Sequence, residues 1–178
     1  EHAVELAQQA LAGFEPQFQA DYRKGLRGKI GLVTEQPEDG ALMKALLQAM
    51  QDNQLDFTQK FRRLSSPQLI QPATDEGEAE GLPALSAWLR AWRHRLAQDG
   101  GLSPEERAQH MRLVNPLYIP RNHLVEEMIS RAIQQEDDSA FETLLAVTTN
   151  PYQEQPGRSR YAQPAQTHEQ VKHTFCGT

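Results

Sequence analysis

The chain has one cysteine, Cys176, among 178 residues. No internal disulfide can form, and the composition suits a reducing compartment, a bacterial-type cytoplasm. No run of about 18 apolar residues occurs, so a membrane-spanning helix is excluded on length. The opening residues, EHAVELAQQALAGF, have neither the apolar core of a signal peptide nor a basic transit character. Lys and Arg number 18 against 24 Asp and Glu, a net charge of -6 with a pI near 5.5. That leaves no overall basic surplus to displace counterions from nucleic acid, so neither nucleic acid nor membrane is expected as a partner. An initiator methionine is also missing, and the first residues already read as helix, so the chain is expected to be a fragment of a longer one.

Chemistry-bearing motifs are equally scarce. There is no glycine-rich phosphate loop, no lysine in a strand context and no Asp-Phe-Gly pattern of a kinase. No Ser-His-Asp arrangement or paired-cysteine metal spacing occurs. His168, His173 and Cys176 fit no common zinc spacing and lack a fourth neighbour. The acidic run Asp75, Glu76, Glu78, Glu80 lacks the regular spacing of a cation loop. On its own residues the chain is expected to have no catalytic, cofactor-binding or metal site.

Helical periodicity fills most of what remains. No segment alternates as a strand does and no internal repeat is visible, so the reading is an all-α, irregular multi-helix domain with long proline-rich loops and about six to eight helices. Residues 1–12 form a first helix with Val4, Leu6, Leu11 and Phe14 as apolar members, ending at Gly13. From Pro16 a second face follows, Phe18, Tyr22, Leu26 and Ile30, with Gly25 and Gly28 marking close packing. Arg23, Lys24, Arg27 and Lys29 make its outer side basic. That side reads as a solvated face whose charges pair with neighbouring carboxylates, or as a contact for phosphate or an acidic domain surface.

Glu38 or Asp39 can cap the next helix, with Leu42, Met43, Leu46, Leu47 and Met50 on one stripe. Phe57, Phe61 and Leu64 give a short one. Residues 66–82 hold prolines, glycines and the acidic run without periodicity, and read as an exposed acidic loop. Pro83 opens a strong helix with Leu85, Trp88, Leu89, Trp92 and Leu96 inward, the tryptophans serving as a core or interdomain anchor. His94 reads as a surface residue. Ser103, Pro104 and Glu106 form a capping box for a helix to about Leu113.

The stretch from Val114 to Gly157 is the most specified. Pro116 and Pro120 forbid a helix through residues 115–120. Asn122 is the candidate N-cap of a helix with Leu124, Met128, Ala132 and Val125, Ile129, Ile133 on its apolar side. Asp138 or Ser139 starts another, carrying Phe141, Leu144, Leu145 and Thr148, which Asn150 and Pro151 stop. Tyr152 to Gly157 must be a loop held by contacts that sequence does not reveal, and residues 158–178 read as an extended C-terminal tail.

These residues carry a resemblance. NPLYIPRNHLVEE, then FETLLAV, NPYQEQPG, RYAQPAQ and the terminal TFCGT occur in one order, with weaker echoes in DYRKGLRGKIGL and DFTQKFRRLS. Together they resemble the C-terminal region of the selenoprotein O family, the kinase-like, pseudokinase-type protein adenylyltransferases. The resemblance implies that residues 1–178 are the C-terminal helical domain of such an enzyme. The kinase-like domain would lie upstream and transfer AMP from ATP to protein Ser, Thr or Tyr hydroxyls with Mg²⁺ or Mn²⁺. None of that domain's nucleotide or metal ligands falls on a position here.

It also implies roles within the chain. The implied partners are the protein's own N-terminal kinase-like domain and the protein substrates. Asn115, Tyr118, Arg121, Asn122, His123, Tyr152, Gln155 and Tyr161 become candidates for contact with that domain, although His123 alone reads as an ordinary first-turn residue. Cys176 becomes a redox candidate through a disulfide to a cysteine of the other domain. The competing reading is a non-catalytic helical protein-interaction module.

Overall fold

A computed structural model describes residues 2–71 and 81–171, and of residues 3 and 9 only the backbone. Cys176, His173 and the acidic run at 75–80 lie outside the described residues. Among the described residues there are eight α-helices, two short 3₁₀ turns and no strand, so the fold is all-α as the periodicity predicts. The helices are α1 (His2–Lys29), α2 (Asp39–Asp52), α3 (Phe57–Leu64), α4 (Pro67–Ile70), α5 (Pro83–Gln98), α6 (Pro104–Val114), α7 (Asn122–Gln135) and α8 (Ser139–Thr149). They divide into two compact units, one of Glu1–Leu55 with Leu64–Met111, the other of Asp56–Arg63 with Arg112–Thr178.

In the first unit α1 packs on α2 and α2 on α5. The stripe Leu85, Trp88, Leu89, Trp92, Leu96 is buried as its spacing predicts. Burying two indoles requires a partner for each N–H. Trp88 Nε1 donates to the Leu42 carbonyl and Trp92 Nε1 to the Ile30 carbonyl, each at 2.8 Å, while the two rings stack with centroids 5.4 Å apart. The tryptophans are therefore core residues of this unit. Met43, Leu46 and Met50 of α2, Leu26 of α1 and Ile30 just after it complete it.

Three details depart from the periodicity reading. The break expected at Gly13 is absent: α1 runs 28 residues through Gly13 and Pro16. Pro16 removes one amide bond and costs about 3 kcal/mol, but the apolar stripe continues across it in unbroken register. Phe14, Phe18 and Tyr22 stack along that stripe with centroids 5.9 and 6.0 Å apart, the i,i+4 pairing that supports a helix. Gly25 is not a close-packing site, since a Cβ there meets nothing within 4 Å. Gly31 has no room for a side chain: its φ is +75° and a Cβ would fall 2.7 Å from Met111 Sδ. Finally, the loop expected over 66–82 begins with the helical turn α4, whose Ile70 is buried.

In the second unit α7 packs on α8. Asn122 is not the N-cap; Arg121 occupies that place in extended geometry and caps with no side-chain bond. The Arg121 side chain is engaged elsewhere, with Asp56 and the Ala162 carbonyl. Leu124 is the buried member of α7, whereas Ile129 and Ile133 are exposed. On α8 the buried row is Leu144 and Val147, with Phe141 and Leu145 exposed. The inward face is turned because Val147 packs with Tyr118 and Ala162, from segments that have no periodicity of their own. The tail expected to be extended contains two 3₁₀ turns, Ser159–Ala162 and Thr167–Glu169, the first burying Ala162.

Candidate functional site

The residues singled out by sequence converge in the second unit. The chain between Pro116 and Pro120 cannot form its own helical hydrogen bonds, so it borrows others. Leu117 and Tyr118 amides both donate to the Pro151 carbonyl, at 2.8 and 3.2 Å. Tyr118 is buried, and its hydroxyl accepts from the Gln155 amide at 3.1 Å. The Gln155 side chain turns back to donate to the Val147 and Asn150 carbonyls, both at 3.1 Å. These bonds satisfy the open end of α8 and hold the loop that sequence could only call non-periodic.

Arg121 is the centre of a second clasp. Its guanidinium forks onto Asp56, with Nη1 2.8 Å from Oδ2 and Nη2 3.0 Å from Oδ1. Nη2 also donates to the Ala162 carbonyl at 3.1 Å, and Gln59 Nε2 reaches the same carbonyl at 3.2 Å. Asp56 meanwhile accepts from the Gln59 amide at 2.8 Å, stopping the start of α3 from fraying. Burial pushes the Asp56 carboxyl up; the Arg121 bonds, the Gln59 amide and the Arg121 charge outweigh it and hold the pKa below the ordinary value. Such a carboxylate stays ionised at neutral pH and is a poor general base.

The remaining candidates divide. Asn115 is fully buried, and its carbonyl accepts from Arg62 Nη1 at 3.1 Å. Tyr161 packs against the Tyr118–Val147–Ala162 core, with Arg158 over its ring at 6.0 Å. Asn122 and Tyr152 are exposed and His123 half-buried. A groove of about 520 Å³ opens between Asp56, Arg121, Asn122, His123, Pro164 and Gln170.

A third clasp, in the first unit, escaped the sequence reading. Asp99, buried at the end of α5, accepts from the Val33 amide at 2.7 Å and the Thr34 amide at 2.9 Å, from the Thr34 hydroxyl, and from Arg107 Nη1 at 2.9 Å. Arg95 Nη1 lies 3.2 Å from the same carboxylate, and Arg95 Nε donates to Asp39 at 2.7 Å. Arg107 also donates to the Gly31 carbonyl. Burial raises the Asp99 carboxyl, and the Thr34 hydroxyl, the Val33 and Thr34 amides and Arg107 lower it further, to well under the usual carboxylate range. The only signal in the sequence was arginines on a helix whose apolar stripe was already complete.

Of the basic face on α1, Arg27 pairs with Glu35 at 2.8 Å and Lys29 is half-buried, which depresses its pKa. The pairing expected of this side is present at Arg27, although its side chain is only 14% exposed and so is not solvated. Among the described residues no group of three His, Cys, Asp or Glu is placed to hold a metal, and no helix is long and apolar enough to cross a membrane. The polar clusters described are carboxylates and guanidinium groups bonded to one another and to backbone carbonyls.

Comparison with known proteins agrees in one direction. The family described as protein adenylyltransferase SelO matches residues 3–149. A protein nucleotidyltransferase YdiU of Rhodopseudomonas palustris (strain HaA2) is 46% identical over 179 residues, covering 98% of this chain and 36% of its own length. The proteins of that name from Rhizobium meliloti (strain 1021) and Bradyrhizobium diazoefficiens are 46% and 45% identical over 180 residues, again across 36% of their lengths. The chain thus spans about a third of the curated relatives it matches.

Proposed function

The chain belongs to the protein adenylyltransferase SelO family, and from that membership we propose that it is the C-terminal helical part of a cytoplasmic enzyme that AMPylates proteins. In the reaction a Ser, Thr or Tyr hydroxyl of a protein substrate attacks the α-phosphorus of ATP, giving AMP-protein and pyrophosphate. Mg²⁺ or Mn²⁺ would neutralise the phosphates. The ATP, the metal and the residues that hold them belong to a kinase-like domain outside this chain. The part played by residues 1–178 is to brace that domain, with the Arg121–Asp56 and Tyr118–Gln155 clasps setting the exposed start of α7 at Asn122 and the loop that carries Tyr152.

The observation that carries the reading is the identity of about 46% along 98% of the chain to proteins named nucleotidyltransferases. The internal pairing of Asp56, Asp99, Arg95 and Arg121 fits a bracing part better than a reacting one. Cys176 extends the proposal: when a peroxide-class oxidant takes up the two electrons and two protons, its thiol and a cysteine thiol elsewhere in the full-length protein join in a disulfide that restrains the catalytic domain. A non-reducing gel shift that disappears in Cys176→Ser supports that pairing, and an unchanged mobility removes it.

The main test is transfer of radiolabelled AMP from ATP by the full-length protein, beside a version ending before Gly101. Labelling of protein by the first and a loss of at least tenfold in the second is the expected outcome. A full-length protein that folds, binds a partner and transfers no AMP would overturn the reading in favour of a helical interaction module.

A further inference from the structure

The apolar stripe of α1 changes character along its length. Val4, Leu11, Phe14, Phe18, Tyr22 and Leu26 follow one another at three- and four-residue steps, apart from the seven-residue gap that Ala7 fills, and so share one side of the helix, which Ile30 continues in the turn just after it. At its C-terminal end this side is interior: Ile30 is 1% exposed and Leu26 8%. Toward the N-terminus the same side is open, with Tyr22 at 46%, Phe18 at 51%, Phe14 at 66% and Leu11 at 73%. The rings of Phe14, Phe18 and Tyr22 stack into a ladder in water. A contiguous aromatic patch of this kind marks a contact surface.

We infer that this open length of α1 is an intramolecular dock, covered in the full-length protein by a part of the polypeptide outside these 178 residues. The inference rests on the reading of the chain as one portion of a SelO-family enzyme and names the face by which that portion is held. Three observations select the occupant. The relatives carry almost two-thirds of their length beyond the matched region, so a long stretch of chain is at hand. The family match begins at residue 3 and takes in the whole stripe, which ties the stripe to proteins of that longer length. The open part is also continuous with the Leu26–Ile30 contact, so a covering segment would extend an existing core.

Magnitude argues against a second copy of the chain. A fully buried aromatic side chain contributes about 150–250 Å², so half-exposed ones leave roughly 100 Å² each and the five open side chains roughly 500 Å² together. A stable interface between separate proteins needs about 800 Å² from each partner. A tethered segment is not asked to supply the translational and rotational freedom lost on association, and an effective concentration in the millimolar range suffices for it.

The test places a photo-crosslinking benzoylphenylalanine at Phe18 of the full-length protein, maps the crosslinked peptides by mass spectrometry, and measures AMP transfer on the same preparation. Crosslinks within one polypeptide to residues outside this chain are expected, with the Phe14→Ser, Tyr22→Ser double variant, still carrying the probe at position 18, losing them and melting several degrees lower. Crosslinks between two copies, or a probe that reacts only with water, would overturn the dock. A second variant, Ile133→Ser, which alters an exposed apolar residue of the other unit, controls for general loss of surface apolarity and is expected to leave the crosslink in place. Crosslinking without AMP transfer would uphold the dock and sink the enzyme reading; transfer without crosslinking would do the reverse.

Discussion

Asp99 ties together distant parts of the first unit, because one carboxylate collects donors from two sequence-distant places. The Val33 and Thr34 amides come from the loop after α1, and Arg107 from α6. Removing it leaves Arg95 with Asp39 and Arg107 without its carboxylate, so Asp99→Ala is expected to destabilise the fold by about 3–5 kcal/mol, as breaking a buried ion pair does. Urea denaturation followed by tryptophan fluorescence would report it, since Trp88 and Trp92 lie in the same unit. The pH dependence has a fixed sign. The folded-state pKa of Asp99 is depressed, so its stabilisation is complete above the unfolded carboxylate value of about 3.9 and is lost as pH falls through the folded value. Acid titration of the wild-type chain should show this loss below about pH 4, and Asp99→Ala should flatten it. Little of this was legible in the sequence: Arg95 and Asp39 are 56 residues apart, and no local pattern announces a pairing across such a distance.

At the scale of elements the sequence was most readable where one helix meets one core. α5 has its stripe, its first-turn proline and its paired glycines after the last turn, and the structure follows them. The capping box at Ser103 forms as expected, with the Glu106 carboxylate accepting from the Ser103 amide at 2.9 Å. Reading failed where two rules competed. Gly13 and Pro16 each signal an ending, yet the register of Leu11, Phe14, Phe18 and Tyr22 runs across both and the helix follows the register. This makes Pro16→Ala informative. It restores the amide that can donate to the Ala12 carbonyl and should add about 3 kcal/mol of local helix stability. Hydrogen exchange should slow for amides in the first half of α1 while those of α5 are unchanged; equal rates in the variant would mean the helix is already held by other means. In α7 and α8 the period was read correctly and the inward direction was not, because Val147 faces Tyr118 and Ala162, whose segments have no period to read.

For the whole molecule, the division into units does not follow chain order. Residues Asp56–Arg63 belong to the unit completed by Arg112–Thr178, although they are bracketed by residues of the other. Their attachments are specific: Asp56 to Arg121, Gln59 to Ala162 and Gln163, and Arg62 to the Asn115 carbonyl. A polypeptide ending after Met111 would keep the first unit's residues and strand α3. Its expected behaviour is a folded tryptophan core with rapid hydrogen exchange at residues 57–63, against protection there in the full chain. Uniform protection in the shortened chain would show that α3 needs none of those attachments. No sequence pattern gave this division, since α3 looks like any short amphipathic helix and its partners lie far downstream.

That interleaving sets an order on biosynthesis. As the chain leaves the ribosome, α3 emerges long before Arg121 or Ala162 has been translated, so Asp56, Gln59 and Arg62 must wait for their partners while the first unit closes around Trp92. The nascent protein therefore passes through a stage in which one half is finished and carries a loose piece of the other, and that interval is where a chaperone would find something to hold.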